Sequence, residues 1–598
     1  MQGHTQDGFK MLMGSDSPLL KLGSLIALSH HERFDGNGYP NRLAGTAIPL
    51  EGRIVAIGQI DEEGATEFDA GGFTVMPGVV DPHTHYDAQL FWDPLASPSN
   101  VHGVTTVIGG NCGFTLAPIN AEDADYIRRM MAKVEGMPLT ALENGVPWNW
   151  STFGEYLDTL EGRLGVNAGF LVGHCALRRK VMGAARGEEV ATDDEIAAMR
   201  ALLADSLAAG GLGFSSSQSR THSDGDGRPI SSRYADRREM LAFCEEVAAH
   251  EGTTLEYITN GCLDSFTDEE VDLMTTMSVT AQRPLNWNVL TVDARSADRI
   301  EHQLSASSTA AAAGGQIVAL TMPTLVPMNM SFRTHCALFL IPGWGDVMGL
   351  PEAERARQLA DPAVRTLLDE RAHSKEAGVF RGLARWGSYV IGDTYAPANE
   401  GCAFRSVADI AAERGTAPFD TLLDIVLADG LRTVLWPNTD DGEEATWGLR
   451  AEIWSDPRAM VGGSDAGAHL DRMCGSSYPT AFLGDCLRGR KLVPVEKAVH
   501  MLTEQPAQLF GLRDRGLIRE GYVADLFVFD PETVDSEPAR LVHDLPGDTP
   551  RLYAGSHGVV RVFVNGVETI RDGAPTGALP GTLLRSGRDT ASVIPAPA

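Results

Sequence analysis

Short apolar runs recur along the middle of the chain with little polar alternation. They fall at Phe73–His83, Thr105–Cys112, Asn167–His174, Gly211–Ser217, Thr253–Thr259, Arg283–Leu290, Gln316–Pro323 and Ala459–Asp465. Most are rich in Val, Ile, Leu and Phe, the pattern of strands buried on both faces. Amphipathic helical patterns separate several of them, as at Asp194–Gly210 and Arg238–Gly252, and both of these end in glycine, a common helix stop. Eight strands with intervening helices predict an α/β fold, a (β/α)8 TIM-like barrel.

The pattern changes at both ends. Gly52–Ile60, Gly516–Val534 and Val559–Gly573 read as short strands joined at glycine turns. Because they flank the barrel on both sides, they predict a small β-sandwich built from 52–78 and 516–585, around a barrel at 79–515. Two insertions stand out: Ala121–Trp150, expected to be helical and to cap the second strand, and Pro327–Asp440, expected to cover the barrel mouth. Residues 1–51 are expected to form a short helical N-terminal fragment, a remnant. The Ser/Thr/Pro/Ala-rich stretch 586–598 reads as a loose tail.

Composition narrows the partners. The 598 residues carry 49 Lys and Arg against 80 Asp and Glu, a formal net charge of −31. Such a surface repels phosphate backbones and argues against nucleic acid. No apolar stretch is long enough for a transmembrane helix, and no signal-peptide pattern opens the chain. The eight cysteines form no CxxC pair. Reduced thiols in the cytoplasm fit this spacing better than a disulfide framework.

The candidate chemistry centres on Asp81-Pro82-His83-Thr84-His85, at the end of the first apolar strand. Residues two apart in a strand point the same way, so His83 and His85 aim two imidazoles at one point. Two imidazoles suit zinc; the alternative is a pair of structural histidines bonded to backbone. Cys112 offers a thiolate ligand or a small buried hydrophobe. Asp465 lies in a Ser-Asp-Ala-Gly turn, where an aspartate is commonly a helix N-cap. His174 ends a strand and could orient a substrate carbonyl or bond a neighbouring loop. Arg178 and Arg333 are candidate clamps for a substrate carboxylate, with surface ion pairs as the alternative.

Val75–Pro94, with Tyr-Asp-Ala-Gln after the histidines, resembles the first strand of the amidohydrolase superfamily, in its N-acyl-D-amino-acid deacylase branch. Gly103–Pro118, Val172–Gly183, Gly462–His469 and Leu502–Pro531 resemble later segments of that branch, in the same order. The resemblance spans about residues 52 to 585. It implies a divalent metal, most often Zn2+, and hydrolysis of a small-molecule amide by activated water. His83, His85, Cys112 and Asp465 fall on its metal positions, with Asp465 as the base. The chain departs from the pattern on the fifth strand, where Glu256 stands for a histidine, and on the sixth, where Asn286 and Asn288 do. Glu256 is an acceptable zinc ligand, and asparagine is a poor one. Near the N-terminus, His30-His31-Glu32, Asp35-Gly36 and Gly38-Tyr39-Pro40 resemble the second half of an HD-GYP phosphodiesterase domain, which cleaves cyclic di-GMP. Three readings follow: a metal-dependent amide hydrolase, a non-catalytic binding barrel, or a cyclic-dinucleotide phosphodiesterase or sensor acting through the N-terminal fragment.

Overall fold

The computed structural model describes residues 52–58, 67–438, 440 and 443–595. The expected fragment at 1–51 lies outside these residues.

Two parallel sheets carry the apolar runs. One has six strands, in the order Ala459–Val461, Gln316–Thr321, Pro284–Trp287, Thr254–Ile258, Gly213–Ser217 and Val172–Gly173. The other has three: Val79–Asp81, Val104–Gly109 and Asn167–Phe170. Hydrogen bonds join the two sheets at both sides. Leu171 N–H donates to Gly109 O at 3.0 Å, and Leu212 N–H to Phe170 O at 2.8 Å. On the far side Thr84 bridges Ala466 in parallel, and His85 N–H donates to Ala466 O at 2.7 Å. Nearly every strand residue is buried, as the unalternating runs require.

The crossover helices start where their sequences say they should. Thr192 and Thr267 form capping boxes with Glu195 and Glu270 at the heads of Asp193–Ala208 and Asp268–Ala281. Asp236 caps Arg237–Ala248 by accepting from Glu239 N–H.

Both chain ends meet in one antiparallel sheet, in the order Thr74–Pro77, Leu526–Phe529, Val559–Val564, Val567–Arg571 and Ala574–Pro575. The insertion after Ala121 is helical, at Ala124–Val134 and Leu139–Gly145. The long insertion has its own core around Trp344, Trp386, Tyr389 and Phe419. It is tied to the loop beyond Asp465, where Asn329 N–H donates to Arg472 O and Cys474 N–H to Pro327 O.

The tail is a correction. Far from loose, its described part 586–595 continues a docked segment. Leu584 N–H bonds Ala168 O, Ser586 N–H bonds Gly210 O and Ala591 N–H bonds Gly511 O. Thr590 is fully buried, and its Oγ1 donates to Gly252 O at 2.7 Å. Its polar composition reads as solvent-loving. Here the hydroxyls and backbone satisfy the N-terminal ends of barrel-type strands instead.

Candidate metal centre

The site forms at the carboxyl ends of the parallel strands. His83 and His85 leave the strand Val79–Asp81 with their ring centroids 5.4 Å apart. Asp81 anchors that exit, since its Oδ2 accepts from Ser464 Oγ at 2.5 Å. Burial pushes the Asp81 carboxyl up to about 7.

Cys112 enters from the next strand on a left-handed turn, with φ of 56°. Ser215 Oγ clamps this turn by accepting from Gly113 N–H at 3.1 Å and donating to Gly110 O. Asn111 Nδ2 bonds Thr84 O at 3.0 Å. Gly110 is required here. Its φ is 75°, and a Cβ would lie 2.2 Å from Leu171 O. The turn places Cys112 Sγ 3.5 Å from His83 Nε2 and 3.9 Å from His85 Nε2.

Asp465 arrives from the last parallel strand, also left-handed, at φ 53°. Its Oδ1 lies 3.2 Å from His83 Nε2 and 3.8 Å from His85 Nε2, and accepts from Asn288 Nδ2 at 3.0 Å. Gly463 lets Asn288 in, because a Cβ there would stand 2.2 Å from Asn288 Oδ1. No described residue bonds Asp465 Oδ2, although the side chain is 23% exposed. Burial works against the charge on Asp465, but hydrogen bonds and charge from His83 and His85 outweigh it and hold the carboxylate well below its ordinary range. Strained residues of this kind cluster at functional sites.

Two buried carboxylates complete the surroundings. Glu256 Oε2 accepts from Cys112 N–H at 2.9 Å, while its Oε1 has no partner. Burial raises Glu256 well above its ordinary value. Glu135 Oε1 faces His85 Nδ1 at 3.5 Å and is likewise raised by burial. Burial opposes a charged His85, yet Glu135 and Asp465 push its pKa up to about 9.

This donor set fits a divalent cation. One ligand atom from each of His83, His85 and Cys112 lies within 4.8 Å of the others. Imidazole, thiolate and carboxylate together suit zinc. Three acids and a thiol sharing one buried pocket are costly without positive charge. The orphaned Glu256 Oε1 and His83 Nδ1 mark polar atoms that the protein alone leaves unsatisfied.

The three residues named as candidate substrate contacts make bonds within the protein. Both ring nitrogens of His174 are spent internally, Nδ1 on Ser216 Oγ at 2.8 Å and Nε2 on Glu239 Oε1 at 2.7 Å. Arg178 is fully buried and grips both oxygens of Glu239. Arg333 pairs with Glu352 at the surface, the two side chains 49% and 51% exposed. Conversely, sequence reasoning passed over Glu135, which faces His85, His469, whose N–H donates to Glu135 O, and His222, whose Nδ1 meets Ser217 Oγ. His222 had a signal: it follows the strand Gly213–Ser217 by five residues, on the edge where catalytic loops begin.

Residues 66–576 match the amidohydrolase family. The chain belongs to this family. D-aminoacylase of Alcaligenes xylosoxydans xylosoxydans is 29% identical over 558 residues, covering 92% of this chain and 95% of that one. N-acyl-D-aspartate deacylase of the same organism is 30% identical over 567 residues, covering 92% and 93%. Among solved structures, a D-aminoacylase described as defining a novel subset of amidohydrolases superposes with a TM-score of 0.58 at 24% identity, over 92% of this chain and 97% of that one. Residues 1–63 match an HD domain. There, a cyclic di-GMP phosphodiesterase response regulator of Xanthomonas campestris pv. campestris is 52% identical over 60 residues, 10% of this chain and 16% of that regulator. Among the described residues of this amidohydrolase, all eight cysteines are free and no helix is long and apolar enough to cross a membrane.

Proposed function

We propose that this amidohydrolase cleaves a carbon–nitrogen amide bond, other than a peptide bond, in a small N-acyl amino acid, at the mouth of a closed (β/α)8 barrel. The observation that carries the reading is the convergence of His83, His85 and Cys112, with Asp465 Oδ1 3.2 Å from His83. His83, His85 and Cys112 would hold the metal, with Asp465 or the unpartnered oxygen of Glu256 completing the set. When bound, zinc or a similar ion supplies a Lewis acid for the scissile carbonyl and a source of reactive water near neutral pH.

The remaining work falls to the chain. Asn288 Nδ2 holds one oxygen of Asp465, Oδ1, and leaves Oδ2 without a described partner. Oδ2 takes the proton of the attacking water and passes it to the departing amine nitrogen. Glu135 orients His85 through its Nδ1, as second-layer carboxylates do for metal-binding imidazoles. The HD-like segment spans 16% of the Xanthomonas regulator, and we assign it no phosphodiesterase activity of its own.

The test is elemental analysis of the purified protein beside a His83→Ala/His85→Ala variant, with amine release from N-acyl amino acids followed in parallel. About one ion per chain, lost in the variant together with hydrolysis, is the expected result. A parent that takes up no metal when zinc is supplied, and releases no amine, would overturn the reading.

A further inference from the structure

The HD-like match runs over residues 1–63 and so crosses into residues that the terminal sheet holds. Ala524 N–H donates to Gly52 O at 2.7 Å, Ile54 N–H to Tyr522 O at 2.9 Å and Gly521 N–H to Ile54 O at 2.8 Å. Gly52 also lies against the hairpin between Val559–Val564 and Val567–Arg571, where a Cβ would fall 2.4 Å from Asn565 O. No linker therefore separates the HD-like segment from the sheet. The residues before Gly52 set out from that hairpin tip.

The sheet offers a face for them. Met76, Phe527, Val562 and Ile570 stand opposite one another in register, and all four are buried in the main core. The next row, Val75, Val528, Arg561 and Arg571, therefore points the other way. On that side Arg561 Cζ lies 4.9 Å from the centre of the Phe68 ring, and Phe73 stacks on Phe68 at 6.3 Å. Phe68, Phe73 and Val75 are 40%, 37% and 42% exposed. Thr74–Pro77 ends the strand order, so its outer edge has no strand beside it among the described residues. Val55, Ile57 and Val567, around the entry point, are exposed as well. Single exposed apolar side chains are ordinary, but a group of them beside an open strand edge marks a contact surface.

Reach and charge choose the occupant. From the hairpin tip the open edge is two strand spacings away, roughly 10 Å, which about three or four extended residues span. Residues 1–51 carry four Lys or Arg and five Asp or Glu, whereas the whole chain has a net charge of −31. Two copies of so acidic a chain repel, while a nearly neutral segment already tethered at the face does not. Residues 19–28 supply apolar surface, with five Leu and one Ile in that stretch. We propose that residues 1–51 dock on this face, over Phe68, Phe73 and Val75, so that the HD-like segment serves as the cover of the terminal sheet. This docking stands apart from the amide-hydrolase reading, and metal uptake and turnover neither support nor sink it.

The test is hydrogen exchange read by mass spectrometry on the full chain, at a high and a low protein concentration. In the parent, peptides covering residues 15–30 should exchange at least ~10-fold slower than an unstructured chain. Phe73→Asp/Val75→Asp should restore fast exchange at residues 15–30 and leave peptides from the parallel strand Thr254–Ile258 unchanged. Leu22→Asp/Leu25→Asp lies outside the amidohydrolase match at 66–576 and should speed exchange at residues 67–76. It carries the comparison if the sheet variant unfolds. Residues 15–30 that are already unprotected in the parent overturn the proposal. So does protection there that neither pair of substitutions alters. Protection at residues 67–76 that falls on dilution, together with a dimer in light scattering, assigns the face to a second copy and overturns it as well.

Discussion

Replacing Arg178 with methionine separates a structural from a substrate-holding role. Arg178 and Glu239 are both fully buried, and Arg178 Nη1 donates to Glu239 at 2.7 and 2.5 Å. Nη2 also donates to Glu189 O at 2.5 Å. Methionine fills similar volume but leaves Glu239 with His174 as its remaining strong partner. Burial alone would raise the Glu239 carboxyl, and the bonds and charges of His174 and Arg178 hold it down. Without Arg178 the carboxylate must take up a proton or remain buried and underpaired. Breaking a buried pair in this way costs about 3–5 kcal/mol. Arg178→Met/Glu239→Gln removes the orphaned charge yet keeps an acceptor for His174, so the double variant should recover at least ~1 kcal/mol. Urea unfolding of the parent, both single variants and the double closes the cycle. A single-variant loss below about 1 kcal/mol, or a double variant no better than Arg178→Met, would refute the argument. A raised KM with unchanged stability would instead restore Arg178 as a substrate clamp.

Asp465→Asn should lower kcat by about 10²- to 10⁴-fold even at saturating zinc, as checked by steady-state kinetics. Cys112→Ser should weaken zinc affinity by at least ~10-fold in a chelator competition, because the hydroxyl is a poorer ligand than the thiolate. His102 is buried between Thr480 Oγ1 and Ala554 O, and burial lowers its pKa from 6.5 to about 4. A depressed folded-state value means that the unfolded chain binds the extra proton. Stability from this group is therefore complete above pH 6.5 and is lost as pH falls toward 4, up to roughly 3 kcal/mol. His102→Gln should flatten that part of the stability profile in urea titrations at pH 7, 6 and 5. An unchanged slope would refute the assignment.

The sequence pattern carried the parallel strands well, because residues buried on two faces leave long apolar runs that nothing else in this chain imitates. His83, His85, Cys112 and Asp465 were legible for a related reason: each closes or follows such a run, where strand ends place their side chains. Glu135 was not, since it ends a helix in an insertion and reaches His85 only through tertiary packing. His174 and Arg178 looked like site residues because their strand runs toward the site. Their partner Glu239, however, lies on another helix, and no local spacing announces it. The polar tail misled because composition reports what side chains prefer in water. It does not report which backbone groups elsewhere are waiting for hydrogen bonds.

Thr74 lies opposite Phe529 in the antiparallel sheet that joins the chain ends. On a ribosome adding about 5–20 residues per second, the earlier strand waits roughly 20–90 s for its partner to emerge. During that interval Met76 and its neighbours have no sheet to enter, and the docked segment that seals Gly210 and Gly252 does not yet exist. The nascent chain thus spends most of its synthesis with an unsealed parallel sheet and an unpaired strand. Its yield in a cell then depends on how well chaperones guard that window, and nicked or prematurely ended products will be recognised as unfinished by the proteases that patrol it.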